Sequence, residues 1–241
     1  MLMVNRFHIS RIKNLSYRLI QGRCILCQSP SRRDIDLCSP CESDLPWLTT
    51  CCDCCALPLP VKSSQNRCGR CLRKAPDFHQ CVAALRYDFP VDRLIAGFKH
   101  QKKLHYGAVL SKLWLDRCAD QLGPLPDALI PVPIHWRRRL QRGFNQSIVL
   151  ANDLGNALNI PVYHAVKHPR ATHSQQGLNA AARRKNLHHS FAFLPSADVK
   201  NKHLAVIDDV VTTTATANTM AAILARNGAA RIDIWCLART P

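Results

Sequence analysis

The sequence predicts an α/β protein in which helices cover a parallel β-sheet and a small cysteine-rich module precedes the sheet. Three observations lead to this fold class. Short aliphatic segments alternate with helical patterns from residue 81 to the C-terminus. Ten of the 13 cysteines lie between Cys24 and Cys71. Finally, 241 residues with a hydrophobic share of 47% and a charged share of 20% are enough to bury a core.

The cysteine-rich segment begins with two CxxC pairs. These pairs consist of Cys24, Cys27, Cys38 and Cys41. Two such knuckles can each hold one side of a tetrahedral metal ion. Because crowded cysteines in a reducing compartment are typical of metal ligation rather than of disulfides, we interpret this set as one metal site.

A second set of cysteines follows, and its first pair has two possible registers. The run CCDCC at 51–55 contains two overlapping CxxC pairs, and a further pair, Cys68 and Cys71, comes after it. We prefer the register with Cys52 and Cys55, because Ala-Leu-Pro-Leu then leaves the turn directly after the second ligand. The other register uses the first and fourth residues of the run, which are spare thiols in the preferred one.

Both sets are predicted to hold zinc as closed structural sites, one ion in each. Four thiolates around one ion leave no position for water or substrate. A module this small needs the metal to supply its folding energy. An iron–sulfur cluster or a redox dithiol is the alternative that the same spacing allows. The isolated Cys81, Cys118 and Cys236 are interpreted as small core residues.

The composition changes after the last CxxC pair, and this divides the chain into three predicted parts. They are an N-terminal extension at 1–20, a cysteine-rich module with two predicted zinc sites at 21–76 and an α/β domain at 77–241. Strands are predicted from residue 81 and at about 128–132, 161–166, 203–209 and 231–240. Helices are predicted around 94–98 and 109–114, at about 147–158 and 216–228, and in an alanine-rich stretch that includes Arg183 and Arg184. A basic loop is expected after the strand at 128–132.

The chain is strongly basic, with a formal net charge of +17. Thiolates bound to two zinc ions would lower this value to about +13. The excess is concentrated in residues 128–203, where eleven lysines and arginines accompany only two acidic residues, Asp153 and Asp198. Such a surplus favours phosphates, nucleotides or nucleic acids as partners. A solvated basic surface is the alternative.

The sequence has no apolar run of about 18 residues, the length that a membrane-spanning helix needs. The first 24 residues contain several basic side chains and no uninterrupted apolar segment of the kind found in secretory signals. We therefore expect a cytoplasmic protein that does not insert into a membrane.

The stretch LAVIDDVVTTTATANT at 204–219 is the strongest candidate site. An aliphatic strand leads into Asp208 and Asp209, and threonines then open a helix. Ligands of parallel sheets bind beyond the carboxyl ends of the strands, and a helix N-terminus offers free N–H groups to a phosphate. The aspartates can accept hydrogen bonds from sugar hydroxyls. The pattern therefore suits a ribose 5-phosphate, and a helix-capping threonine cluster beside two solvated aspartates is the alternative.

This stretch resembles the signature loop of the type I phosphoribosyltransferases, in which Asp-Asp-Val-Val-Thr-Thr-Gly-x-Thr follows two hydrophobic residues. Over about residues 20–241 the chain resembles the ComF family, in particular its GntX-type members, which carry a cysteine-rich head. The likeness is carried by PVP at 131–133, Arg142-Gly-Phe-Asn-Gln-Ser147, Arg170, Thr172, Gln175, Leu178, Arg183, Asn186 and Phe191. It implies a type I phosphoribosyltransferase-like domain behind a double zinc ribbon, and a role in competence-like uptake or utilisation of external DNA.

The resemblance also implies a site for phosphoribosyl pyrophosphate (PRPP) or a related ribose phosphate. Asp208 and Asp209 would hold the ribose hydroxyls. The positions that correspond to the 5-phosphate loop are Thr212, Thr213, Thr214, Ala215 and Thr216. The positions expected near the pyrophosphate, which this superfamily shares with Mg²⁺, are Arg138, Arg142 and Asn145. Arginine suits that place because it stays charged and can bind two oxygens at once.

The chain departs from the family pattern at one position, since Thr214 replaces the glycine of the signature. Glycine permits a positive φ and a close approach of phosphate, whereas a β-branched residue resists both. If Thr214 adopts the conformation of the glycine, strain is expected to weaken the site. If its backbone is right-handed helical, its hydroxyl adds a donor.

Three functions are compatible with these observations. The first is transfer of ribose 5-phosphate from PRPP to an acceptor, but no acceptor pocket or general base is evident, so the catalytic residues are unassigned. The second is a non-catalytic accessory of DNA uptake that binds single-stranded DNA or uptake proteins and uses the fold as a scaffold or sensor. The third is a zinc-dependent transcription factor, although the sequence shows no helix-turn-helix or recognition finger.

Overall fold

The computed structural model describes residues 22–61, 66–169 and 191–241. The predicted N-terminal extension and the predicted alanine-rich helix lie outside the described residues. The chain divides into two compact units after Leu45. The first four-cysteine set belongs to the smaller unit and the second set belongs to the unit that contains the sheet. The boundaries that the sequence suggests, after residues 20 and 76, stay a prediction.

In the described part of the smaller unit, residues 22–45, a tight turn at 25–27 precedes a short helix, α1 (Ser39–Ser43). Cys24 N–H donates to Ser29 O at 2.8 Å, and Gln28 N–H donates back to Cys24 O at 2.9 Å. Proline at the start of α1 suits the first turn of a helix. Besides cysteines, the described part of this unit buries four apolar side chains, Ile25, Ile35, Leu37 and Leu45, so its folding depends on the cysteines.

The larger unit begins at Pro46. Its elements follow in chain order: α2 (Gly69–Arg73), β1 (Gln80–Arg86), α3 (Val91–His100), α4 (Leu104–Cys118), a 3₁₀ turn (Ala119–Gln121), β2 (Ala128–Pro131), α5 (Trp136–Arg142), α6 (Gln146–Leu158), β3 (Val166–Lys167), β4 (Ala192–Phe193), β5 (His203–Val211), α7 (Ala215–Arg226) and β6 (Arg231–Arg239).

The main sheet has the strand order β1-β6-β5-β2, and every neighbouring pair is parallel. The central strands β5 and β6 are almost continuously apolar and buried, as expected for strands covered on both faces. Helix α7 connects them as a crossover. The predicted α/β class, a parallel sheet behind a cysteine-rich module, is therefore confirmed.

The two faces of the sheet pack against different elements. On one face, Met220 and Leu224 of α7 and the second cysteine set share a hydrophobic cluster with Leu204 and Val206 of β5. On the other face, α4 and α6 pack against the sheet, and the Trp114 ring lies 4.9 Å from the Trp235 ring between centroids. The second cysteine set is thus part of the core that supports β5.

Two predicted elements differ from the observed ones. The predicted strand at 161–166 is reduced to an isolated bridge between Val162 and Leu129, because Pro131 of β2 has no N–H with which to continue the pairing. The chain then forms β3, which pairs with β4 in a separate two-stranded sheet. The predicted basic loop contains α5, which is capped by His135 Nδ1 at its start and ended by Gly143 at φ 84°.

Candidate functional site at the carboxyl edge of β5 and β2

The site is assembled where the neighbouring parallel strands β5 and β2 both end. Pro131 of β2 is in register with Ile207 of β5, and Val132 N–H donates to Ile207 O at 3.0 Å. Asp208 and Asp209 follow on β5. The first turn of α6 lies beside them, since Ser147 Oγ is 3.5 Å from a carboxylate oxygen of Asp208. The fold therefore brings the paired aspartates to the start of the RGFNQS helix.

Asp209 is buried and forms an ion pair. Its carboxylate, 9% exposed, lies 2.8 Å from Lys99 Nζ. Lys99 is in the last turn of α3 and is not among the site residues that the sequence motifs predict. A lysine near a helix C-terminus is ordinary because it complements the helix dipole. The sequence therefore contains no local signal that this one reaches the candidate site.

Asp208 differs from its neighbour because no lysine or arginine among the described residues forms an ion pair with it. One carboxylate oxygen accepts a hydrogen bond from Asp209 N–H at 2.9 Å. Burial, followed by the negative charge of Asp209, raises the pKa of Asp208 to about 7, although Lys99 and hydrogen bonds act in the opposite direction. A carboxylate that changes charge near neutral pH is typical of functional sites.

The basic residues implied near the pyrophosphate have unequal positions. Arg142 is partly buried at the end of α5, and its Nη1 donates to Gln146 Oε1 at 3.2 Å. Burial and then the charge of Arg138 lower the pKa of Arg142, while Asp209 raises it. Arg142 therefore lies within electrostatic reach of both the aspartates and Arg138, which is exposed.

Asn145 has a supporting position. Its Nδ2 donates to Val132 O at 2.9 Å and its Oδ1 accepts from Ser147 N–H at 3.0 Å, so it caps α6 and ties it to the end of β2. The residue is only 5% exposed. These contacts fix the backbone beside the aspartates, and a direct contact of Asn145 with a ligand stays a prediction.

The threonine loop, residues 212–216, joins β5 to α7. Thr212 and Thr213 are exposed, whereas Thr214 is buried and Thr216 is partly buried. Thr214 has φ 64° and ψ 4°, the left-handed conformation. It therefore adopts a backbone that favours glycine, and for a β-branched residue this costs roughly 1–3 kcal/mol.

Local hydrogen bonds hold Thr214 in this conformation. Its Oγ1 donates to Thr213 O at 2.5 Å and accepts from Asn218 Nδ2 at 3.2 Å. No side chain caps the N-terminus of α7, a helix of 12 residues. The first N–H groups of the helix, at Ala215 to Ala217, have no intrahelical acceptor and point out of its N-terminus. Together with the dipole, they make the loop suitable for an anion.

The eight predicted metal ligands form two separate groups among the described residues. The groups are Cys24, Cys27, Cys38 and Cys41, and Cys52, Cys55, Cys68 and Cys71, and within each group the sulfur atoms lie within 4.8 Å of one another. The second group has the preferred register of the CCDCC run. A tetrahedral zinc ion with Zn–S bonds of about 2.3 Å places its sulfur ligands about 3.8 Å apart. The observed distances of 3.7 Å for Cys27–Cys38 and 3.6 Å for Cys55–Cys68 fit such an ion.

Backbone donors also prepare the second group for a cation. Cys68 N–H donates to Cys52 Sγ at 3.3 Å. Burial alone would raise the pKa of Cys52, but the backbone N–H groups of Cys68, Cys55 and Cys54 outweigh it and lower the pKa to about 7. The thiolate form that zinc binds is therefore accessible near neutral pH.

Similarity to known proteins identifies the family. Over 228 residues the chain is 36% identical to "DNA utilization protein YhgH" of Escherichia coli strain K12, covering 92% of this chain and 98% of that protein. It is 32% identical over 225 residues to "Competence protein F" of Haemophilus influenzae, covering 90% and 96% of the two chains. The chain belongs to the ComF family. The family resemblance that the sequence motifs suggest is thereby confirmed.

Further comparisons of this ComF-family chain concern its two parts. The family "Double zinc ribbon domain" matches residues 18–72, which include all eight predicted ligands. Among solved structures, a purine phosphoribosyltransferase from Pyrococcus horikoshii is 20% identical, with a TM-score of 0.31, and the match covers 62% of this chain and 72% of that chain. A glutamine PRPP amidotransferase from B. subtilis is 17% identical, with a TM-score of 0.36, and the match covers 54% of this chain and 24% of that chain.

Among the described residues, no helix has the length and apolarity needed to cross a membrane.

Proposed function

We propose that this ComF-family protein binds PRPP or a related ribose 5-phosphate together with Mg²⁺, and that it acts in the uptake or utilisation of external DNA. The observation that carries the proposal is the juxtaposition of Asp208 and Asp209 with the threonine loop. The aspartates lie near the carboxyl end of the buried parallel strand β5, and the loop that follows the strand presents free N–H groups.

The proposed roles follow from the charge of each group. Asp208 and Asp209 accept hydrogen bonds from ribose hydroxyls. The N–H groups and hydroxyls of the threonine loop donate to the 5-phosphate. Arg142, Arg138 and Lys99 provide positive charge for the pyrophosphate. Mg²⁺ takes oxygen ligands, so the pyrophosphate and the nearby carboxylates are suitable partners for it.

Turnover of PRPP would require charge stabilisation of the departing pyrophosphate and a positioned acceptor. The basic groups on α5 supply the first requirement. An assay of pyrophosphate release with PRPP, Mg²⁺ and a panel of bases, nucleosides and DNA tests turnover. Release with one acceptor class makes the protein a phosphoribosyltransferase, and binding without release makes it a PRPP sensor.

Isothermal titration with Mg-PRPP tests the binding site itself. We expect saturable binding by the wild-type protein and a loss of at least tenfold in affinity in Asp208→Asn/Asp209→Asn, because the neutral amides are weaker acceptors for sugar hydroxyls. Asp198→Asn is the matched control, since Asp198 pairs with Lys202 elsewhere on the surface. No binding by the wild-type protein, or equal binding by the double variant, would overturn the proposal.

Helix α5 supports a second candidate function, binding of single-stranded DNA. Arg137, Arg138 and Arg139 are exposed on this helix, and Trp136 and Leu140 are 54% and 73% exposed. Exposed aromatic and basic groups together suit stacked bases and a phosphate backbone.

Fluorescence anisotropy with a labelled oligothymidine tests this candidate. We expect affinity to fall steeply with salt concentration, and the Trp136→Ala substitution to weaken binding by roughly 1–3 kcal/mol. Trp47→Ala is the control for loss of a tryptophan elsewhere. Binding that is insensitive to salt and to Trp136 would exclude α5 as the DNA surface.

A further inference from the structure

The second cysteine group and the threonine loop are joined by a buried arginine. Arg239, the last residue of β6, is 1% exposed. Its Nε donates to the carbonyl of Cys55, one of the metal ligands, at 2.9 Å. Its Nη1 donates to the carbonyls of Val211 and Thr212 at 3.2 Å and 2.6 Å, and to Thr240 O at 2.6 Å. One guanidinium therefore binds the backbone of the zinc ribbon and the backbone that enters the loop.

Two more contacts connect the same regions. Arg70, which lies in α2 between two of the metal ligands, donates from Nη2 to Thr213 O at 2.9 Å. Asn218 accepts from Asp77 N–H at 2.9 Å and donates to Thr214 Oγ1 at 3.2 Å. Three successive carbonyls, those of residues 211, 212 and 213, are thus held by arginines.

Holding these carbonyls also orients the loop N–H groups. In a planar trans peptide the C=O and the following N–H point in opposite directions. Arginines that bind the carbonyls of Val211, Thr212 and Thr213 therefore fix the planes of the three peptide groups that carry the N–H groups of Thr212, Thr213 and Thr214. Successive backbone N–H groups can form a concave arrangement that binds anions.

We propose that the second zinc ribbon positions the threonine loop for its anionic ligand, with Arg239 and Arg70 as the positioning residues. This inference rests on the proposed function of the loop. The folded ribbon fixes the positions of Cys55 O and of helix α2. Arg239, which binds Cys55 O, and Arg70, which lies on α2, then hold three peptide groups of the loop in fixed orientations. Neither arginine needs to contact the ligand.

Arg70 provides the cleaner test because it is exposed and its loss leaves the core intact. In Arg70→Ala we expect the backbone ¹⁵N order parameters of residues 212–214 to fall from about 0.85 to below about 0.6, with a loss of about fivefold in Mg-PRPP affinity. Arg73→Ala removes the same charge from the same helix and is expected to change neither. Arg70→Lys retains one donor for Thr213 O and is expected to restore most of the backbone order.

Arg239→Lys is the stronger perturbation, because one ammonium cannot reach Cys55 O and the loop carbonyls in the geometry of a guanidinium. We expect lower order parameters in the loop and weaker binding than in Arg70→Ala. Zinc content and tryptophan fluorescence are measured in parallel, to show that the variant is folded. If it fails to fold, the Arg70 series decides.

The outcomes separate this inference from the function on which it rests. Unchanged order parameters at 212–214 and unchanged affinity in a folded Arg70→Ala protein would overturn the positioning role. If the wild-type protein does not bind Mg-PRPP but the order parameters fall in the arginine variants, the positioning role stands and the ligand assignment is wrong.

Discussion

The two four-cysteine groups have the same ligands and similar spacing but very different surroundings. In the first, Cys27 is exposed and Cys41 partly exposed, within a unit that buries few apolar side chains. In the second, all four cysteines are buried in the hydrophobic cluster that supports β5. Its backbone also accepts a hydrogen bond from Arg239, which holds the threonine loop.

The cysteine motif alone therefore does not determine whether a zinc ribbon stands apart or forms part of a larger core. The first group closes its own small unit. The second is a part of the α/β unit and borders the candidate ligand site. The same CxxC spacing can thus occur in different structural surroundings. Burial and hydrogen bonding around the ligands determine whether a metal site also supports residues outside its own ribbon.

The largest expected difference between the groups concerns stability. We expect Cys55→Ser to lower the free energy of unfolding of the α/β unit by more than about 4 kcal/mol, because it removes a buried metal ligand from the core. Cys27→Ser should change the same quantity by less than about 0.5 kcal/mol. Urea unfolding followed by tryptophan fluorescence measures it, since all four tryptophans lie in the α/β unit.

The zinc content of each purified variant is measured as a control, and it is expected to be one ion per protein instead of two. Equal destabilisation of the tryptophan transition by the two substitutions would contradict the distinction between the groups.

A smaller effect is expected from the charge of Asp208, which belongs to the unit of the second group. Its pKa is about 7 in the folded protein, against 3.8 ordinarily. A carboxyl with a raised pKa binds more protons in the folded state, so its effect on stability becomes unfavourable as the pH rises from about 4 to about 7. Asp208→Asn removes this cost, and we expect it to gain up to about 4 kcal/mol relative to wild type between pH 4 and pH 8, because each of the roughly three pKa units corresponds to about 1.4 kcal/mol.

Urea unfolding at several pH values, again by tryptophan fluorescence, measures this difference. The substitution should stabilise the unliganded protein at pH 8 while it weakens PRPP binding. A difference between the two proteins that does not vary with pH would show that Asp208 is ionised throughout this range.

The smallest effect is expected at Thr214, in the loop that Arg239 and Arg70 hold. Thr214→Gly removes the strain of the left-handed conformation, and we expect Mg-PRPP affinity to rise by about fivefold, equivalent to about 1 kcal/mol. Isothermal titration measures the change, with Thr216→Gly as the control for loss of a loop threonine. Equal affinities of Thr214→Gly and wild type would end the strain argument.

Contiguous features of the site could be predicted from the sequence. Both cysteine groups, the aspartates at the end of β5 and the helix after the threonines are each encoded within a few residues. Lys99 and Arg239 could not be predicted, because they reach the site from distant parts of the chain through tertiary packing. The pairing of β3 with β4 depends on such contacts as well. Helix α5 could not be predicted either, because the basic segment at 136–142 has no apolar periodicity.

Two-dimensional ¹H–¹⁵N NMR with and without Mg-PRPP tests the central claim most directly, because it reports on the loop N–H groups themselves. We predict saturable shifts at the amides of Thr213, Ala215 and Thr216, with comparable shifts at Asp209 and little change around Cys27. Saturable binding that leaves the amides of 212–217 unshifted, or the absence of any binding, would contradict the assignment of this edge of the sheet as a ribose-phosphate site.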